Sequence, residues 1–273
     1  MKRVKPMSIS FGTFSSRFQG VRASSMGTTT MFRGMLAALF LATPMTLLGC
    51  ASSGEGDDGG GDDTVDPPPM GELLIDDLDD GDDTIADVGG RNGVWYTYGD
   101  TTAGASMEPA EGAEFKGTAD GAGGSAYYAK FKGTGYKEWG AGLAFDLKIE
   151  GEGAAEMKKP WDASPYKGIT FKAKGNVPIR VGLATTAVLT AADGGTCVPA
   201  MPEMDGMMCD DSHGKSFTLT AEWKTYTLNF ADARQEGWGF PVAFDAKTLM
   251  GLQFNIGPNV TWEIGIDDVG LIQ

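Results

Sequence analysis

The sequence predicts an all-β chain folded as a two-sheet antiparallel β-sandwich of jelly-roll type, and three observations predict it. From about residue 70 onward, apolar and polar residues alternate with period two in short segments, the mark of strands with one face in a core and one in water. Gly, Asp and Pro separate the segments, as expected of residues that turn a chain readily. No segment sustains a helical period. About ten such strands over ~200 residues suffice for two packed sheets that bury roughly 70% of the unfolded surface. No internal repeat points to a propeller or solenoid.

The chain of 273 residues opens on a different composition. Its formal charge of −15 is uneven: residues 1–50 carry six Lys/Arg and no acid, whereas 51–87 carry fourteen Asp/Glu and no Lys/Arg. Met35 to Leu48 reads MLAALFLATPMTLL behind Arg33 and is interrupted by Pro44. This run has signal-peptide length and is too short to stay as a membrane-spanning helix. The tetrapeptide Leu47-Leu48-Gly49-Cys50 resembles a bacterial lipoprotein signal, in which cleavage precedes a cysteine carrying diacylglycerol. That resemblance makes 1–49 a signal peptide, with Met26 or Met31 as alternative starts, and Cys50 the lipidated first residue. The alternative is an ordinary secretory signal with Cys50 incidental. Acyl chains contribute ~0.8 kcal/mol per buried methylene, so two or more hold a domain on a membrane. The protein is then exported and lipid-anchored to the bacterial cell envelope, at the outer membrane or cell surface. Residues 50–70 hold almost nothing apolar to bury and read as a disordered acidic tether reaching up to ~60 Å. The domain itself is 71–273.

Within it, strands are expected near 73–76 and 94–98. In the second, Trp95 and Thr97 lie opposite Val94, Tyr96 and Tyr98, so one set must leave the core. A strand near 126–131 precedes one in which Leu143, Phe145, Leu147 and Ile149 alternate with Ala144, Asp146 and Lys148. Ile169, Phe171 and Ala173 follow, then Val177, Ile179, Val181 and Leu183 around Arg180. Further segments fall at 215–219, at Tyr226, Leu228 and Phe230, at Leu252, Phe254 and Ile256 around Gln253 and Asn255, and at 261–271.

Composition also narrows the function. The acidic balance excludes a nucleic-acid-coating protein. Three cysteines, at 50, 197 and 209, do not make a zinc spacing, and His213 is the sole histidine. Neither G-x-S-x-G, a P-loop, H-E-x-x-H nor a dinucleotide fingerprint occurs. The E-x-D-x-x-E arrangement of jelly-roll glucanases is absent too. A two-carboxylate glycosidase remains open, since carboxylate separation is invisible in sequence. Cys197 and Cys209 bracket VPAMPEMDGMM in a chain bound for an oxidising compartment, so a disulfide is expected there, contributing about 3 kcal/mol. It leads into His213, which is either structural or near a ligand.

The acidic entry Leu74-Ile75-Asp76-Asp77-Leu78-Asp79-Asp80-Gly81 and the final Trp262-Glu263-Ile264-Gly265-Ile266-Asp267-Asp268-Val269 resemble the paired ends of a carbohydrate-binding jelly roll. The likeness is to family 11 carbohydrate-binding modules and the complex I intermediate-associated protein 30 domain, folds of the galactose-binding-like type. It extends through Trp95-Tyr96-Thr97-Tyr98, Trp139-Gly140-Ala141-Gly142, Trp161-Asp162-Ala163-Ser164-Pro165-Tyr166 and Gln235-Glu236-Gly237-Trp238-Gly239. The resemblance implies a structural Ca²⁺ between the first and last strands, held by Asp79 and Asp267, with Asp268 in Asp267's place if a bulge exchanges their faces. The alternative is a solvated acidic turn together with a strand-end Asp bonded to backbone amides.

Sugar recognition needs flat aromatic faces and fixed polar groups. Trp95, Tyr136, Trp139 and Trp238 are the aromatic candidates. Arg180, Gln253, Asn255 and Asn229 form a polar strip if the strand phases hold, although a solvated sheet face explains them equally. The leading expectation is a non-catalytic domain binding polysaccharide or a cell-surface glycan. The alternatives are a structural or adhesive envelope protein without a sugar ligand, and a glycosidase or lyase.

Overall fold

The computed structural model describes residues 73–199 and 208–273, which belong to one compact unit. The signal run, Cys50 and the tether lie outside the described residues. Fourteen strands follow in chain order: β1 (Leu74–Asp76), β2 (Trp95–Gly99), β3 (Ser106–Glu108), β4 (Thr118–Ala119), β5 (Tyr127–Thr134), β6 (Ala141–Asp146), β7 (Ile149–Glu150), β8 (Met157–Lys158), β9 (Gly168–Gly175), β10 (Pro178–Thr185), β11 (His213–Thr218), β12 (Lys224–Asn229), β13 (Leu249–Ile256) and β14 (Trp262–Ile272). Each expected segment contains a strand. The run through Ile149 breaks after Asp146, where the chain turns into the separate β7–β8 hairpin.

Two antiparallel sheets make the jelly-roll sandwich. The first runs β12-β9-β14-β5-β3, with β1 added to β14 and β4 to β5; the second runs β11-β10-β13-β6-β2. Alternation places Leu143 and Phe145 of β6, Leu252 and Phe254 of β13, and Val181 and Leu183 of β10 in the core against Phe131, Phe171, Ile264 and Ile266 of the first sheet. Phe254 joins the layers, its ring 6.1 Å from Trp95 and 5.5 Å from Phe171.

Two aromatic assignments are corrected here. Trp95 is buried, packed on Phe145, Phe115 and Phe254, and is no ligand platform. Its indole Nε1 donates to the Asp76 carboxylate at 2.5 Å, so the one polar atom it buries is satisfied. Tyr136 is likewise buried, closing the end of the core against Trp262 at 5.7 Å. His213 points inward too, against Phe244, where burial lowers its basicity. Asn229 ends β12 on the first sheet and donates to Asp232.

Asp76 is almost inaccessible and accepts from Trp95 and from Leu78 N–H. Burial pushes its carboxyl up to about 6, against those hydrogen bonds and with the charges of Asp80 and Asp77 adding to the rise. A folded-state value above the unfolded one means that the native protein holds this proton more tightly. The associated stability is therefore full below pH ~4 and lost as pH rises through about 6. Asp76→Asn should flatten this component: its stability difference from wild type, measured by denaturant titration, should shift by up to ~3 kcal/mol between pH 4 and pH 7. A pH-independent difference would refute the assignment.

Candidate ligand groove

With Trp95 and Thr97 turned inward, Tyr96 and Tyr98 stand on the outer face of the second sheet. Antiparallel register lines up that face into rows across the strands. Tyr98, Gly142, Asn255, Arg180 and Ser216 form one row, one residue from each of β2, β6, β13, β10 and β11. Tyr96, Ala144, Gln253, Gly182 and Gly214 form the next. Arg180, Gln253 and Asn255 are thus brought together as the sequence phases expected.

The small residues let the large ones lie down. A Cβ on Gly142 would sit 2.3 Å from the Tyr98 ring, which crosses over it so that the hydroxyl donates to Asn255 Oδ1 at 2.5 Å. A Cβ on Gly182 would meet Gln253 Oε1 at 2.9 Å. The result is a floor of amide and phenol groups spread flat over the backbone.

Each sheet edge carries a tryptophan on a loop. Trp139, 53% exposed, lies 6.0 Å from the Tyr98 ring beside β2. Trp238, 47% exposed, donates from Nε1 to Glu236 Oε2 at 3.3 Å, and that carboxylate lies 3.7 Å from Arg180 Nε beside β11. The groove is the face between these two loops. Both tryptophans are exposed on loops, and on β2 it is Tyr96 and Tyr98, not Trp95, that face outward.

One end of the groove is closed by charge. Lys158 Nζ lies over the Tyr96 ring, donates to its hydroxyl at 2.8 Å and pairs with Asp146 at 3.0 Å. Burial pushes the Asp146 carboxyl up, and Lys158 works against that rise. Asp210 follows Cys209, which is bonded to Cys197 as expected. Burial drives the Asp210 carboxyl up to about 6, with the charge of Asp193 adding and Lys158 subtracting. Four carboxylates, Asp146, Asp193, Asp210 and Glu236, thus accompany two cations, Lys158 and Arg180. A separate cleft of about 530 Å³ on the outer face of the first sheet has its charges spent on Lys132–Glu108 and Lys130–Glu263 pairs.

The terminal strands lie side by side, β1 on β14, which brings Asp79 and Asp267 to one place. Ser125 Oγ stands 2.9 Å from Asp79 Oδ1, 2.7 Å from Tyr127 O and 3.4 Å from Asp267 Oδ1. One hydroxyl proton cannot serve three acceptors. Asp79 also accepts from Ala126 N–H, and Asp267, fully buried, from Ala122 N–H. Burial raises the Asp267 carboxyl, while the hydrogen bonds from Ala126 and Ser125 hold Asp79 low. Asp268 is corrected: a bulge between Asp267 and Gly270 turns it away to pair with Lys172 at 2.5 Å. Among the described residues, no three His, Cys, Asp or Glu side chains are placed to hold a metal. Any cation between Asp79 and Asp267 would depend on the Tyr127 carbonyl and the Ser125 hydroxyl as well.

No family model and no curated protein matches the sequence. Among solved structures, the chain is similar to a family 11 carbohydrate-binding module of a cellulosomal cellulase of Clostridium thermocellum, with 17% identity, TM-score 0.43, and coverage of 75% of this chain and 96% of that one. It is similar to the Clostridium thermocellum family 11 module in complex with a β-1,3-1,4-mixed-linked tetrasaccharide, with 18% identity, TM-score 0.42, and 70% and 95% coverage. It is also similar to the N-terminal cellulose-binding domain of β-1,4-glucanase C from Cellulomonas fimi, with 16% identity, TM-score 0.32, and 75% and 96% coverage.

Proposed function

We propose that this protein is a non-catalytic carbohydrate-binding domain that takes a polysaccharide across the outer face of the second sheet, held at the cell envelope by lipid on Cys50. One observation carries the binding reading: Tyr96, Tyr98 and Trp139 form a continuous aromatic edge beside the amide and guanidinium groups of Asn255, Gln253 and Arg180. Pyranose rings offer apolar C–H faces to such rings and hydroxyls to such amides. Because acids outnumber bases around the groove, a neutral or weakly charged glycan is favoured over an acidic one. Asp146, the carboxylate on the floor, is engaged by Lys158 and Tyr96.

Affinity electrophoresis against soluble β-glucans tests this. The wild-type domain should be retarded, and Trp139→Ala or Tyr98→Ala should weaken binding roughly tenfold, ~1.4 kcal/mol. Passage through every glycan gel unretarded would end the reading.

The anchor rests on the apolar run, its flanking arginine and Leu47-Leu48-Gly49-Cys50. Metabolic labelling with a palmitate analogue should mark the wild type, and Cys50→Ser should abolish the label and move the protein into the soluble fraction. Equal labelling of the variant would count against it.

We further propose that Ca²⁺ bridges the chain ends at Asp79, Asp267, the Tyr127 carbonyl and Ser125. Oxygen donors of this kind suit a hard cation, and the surplus of acceptors around one hydroxyl supports the fit. The ion would tie β1 to β14 and take no part in sugar chemistry. Calcium at a hundred times its Kd should add about 2.7 kcal/mol of stability, seen as a rise in Tm that EDTA reverses and Asp79→Asn removes. An unchanged Tm in calcium would exclude the site.

A further inference from the structure

The two exposed tryptophans share a feature that exposure alone does not explain. Each sits on a loop whose backbone is gathered by one buried aspartate from another part of the chain. Asp100, just past β2, is 7% exposed, and its Oδ2 accepts from the N–H groups of Glu138, Trp139 and Gly140 at 3.0, 3.1 and 2.9 Å. Its Oδ1 accepts from Thr102 N–H at 3.0 Å. Asp211, just before β11, is 1% exposed, and its carboxylate accepts from the N–H groups of Glu236, Gly237 and Gly239 at 2.9, 2.8 and 3.0 Å. The Asp211 carbonyl also accepts from Gln235 Nε2 at 2.9 Å.

Neither carboxylate forms an ion pair among the described residues. A buried charge without a counter-ion is costly unless several N–H groups replace its water, and here all of those groups belong to the two tryptophan loops and their near neighbours. Burial pushes the Asp100 carboxyl up, yet the hydrogen bonds from Thr102, Gly140 and Glu138 outweigh it and hold it below the usual carboxylate value. The loops themselves bury little that is apolar, since their largest side chains, Trp139 and Trp238, are about half in water. Tyr136 pins the start of the first loop on Trp262, but the packing of the two tryptophans themselves does not fix them, and the backbone on either side of each is held by its aspartate.

We infer that Asp100 and Asp211 are positioning residues, each setting one tryptophan platform in its sugar-binding place at opposite edges of the second sheet. This rests on the groove reading above and adds to it the groups that hold its walls. The benefit is preorganisation: a platform already fixed loses little freedom when ligand arrives. Asparagine at either position keeps the shape, turns its NH₂ toward Thr102 N–H at position 100 or Glu236 N–H at position 211, and leaves the remaining N–H groups a neutral acceptor in place of a charged one, so the loop is loosened without a large change in packing.

The test uses mixed-linked β-glucan as probe and isothermal titration on Asp100→Asn, Asp211→Asn, Trp139→Ala, Trp238→Ala and the four Asp–Trp double variants. Each aspartate variant should weaken binding about tenfold, ~1.4 kcal/mol. Asp100→Asn should cost nothing further in the Trp139→Ala background and its full tenfold in the Trp238→Ala background; Asp211→Asn should show the reverse. A general structural role would give the same loss in both backgrounds, and that result, or an unchanged Kd, overturns the inference. Fluorine NMR of the fluorotryptophan-labelled protein without ligand supplies the second readout, and Asp211→Asn carries the test if Asp100→Asn does not fold. Each aspartate variant should shift and broaden the resonance of its own tryptophan and spare the other. If wild type binds no glucan, the groove reading fails, while unmoved tryptophan resonances would defeat the positioning claim separately.

Discussion

Side-chain alternation in an antiparallel sheet is the constraint from which the rest of this molecule follows. Once Leu143, Phe145, Leu252, Phe254, Val181 and Leu183 face the shared core, the residues between them have no choice of side. Register then sets them in rows, and a row crosses the chain at five distant points, from Tyr98 to Ser216. The outer face of the second sheet is in this sense the reverse of the core. A one-residue slip in β13 would bury Gln253 and Asn255 and expose Phe254, at the cost of both an apolar side chain in water and unsatisfied amides in the core.

The strands were legible because their apolar and polar residues contrast, as in Leu143–Asp146 or Leu252–Ile256. Arg180, Gln253 and Asn255 followed from the same contrast, since a polar residue between two buried ones has to point outward. Trp95-Tyr96-Thr97-Tyr98 offers no such contrast: both faces carry aromatics, and the deciding contact is the Asp76 carboxylate that satisfies the Trp95 indole. That partner lies 19 positions away, and nothing local announces it. Tyr136 was obscured for a related reason. Its neighbours Gly135 and Lys137 look like a solvent loop, yet the loop folds back over the sandwich end and places the ring on Trp262.

The acidic residues divide in a way that composition could not reveal. Asp146 is paired with Lys158 and Asp268 with Lys172, whereas Asp76, Asp100, Asp211 and Asp267 are buried on hydrogen-bond donors alone. Backbone N–H groups supply most of those donors, joining turns to strands tens of residues away. Where the described loops are irregular, such carboxylates supplement the core: they gather unpaired backbone groups and keep those segments in one conformation. The sequence shows an excess of acid, and only the fold shows which acids are structural.

This division bears on the proposed sugar-binding reading of the groove. A ring stacked on an aromatic face gains from burial and dispersion, which are weakly directional, so discrimination among glycans must come from where the faces and the amides are fixed. Tyr98 is fixed by Asn255, Tyr96 by Asp146 and Lys158, and the two tryptophan loops by Asp100 and Asp211. Every aromatic group on the face is thus tied to a polar partner underneath or beside it. Selectivity in such a site resides in the spacing of the platforms, and that spacing is set by hydrogen bonds underneath and beside the binding surface rather than by the surface residues alone.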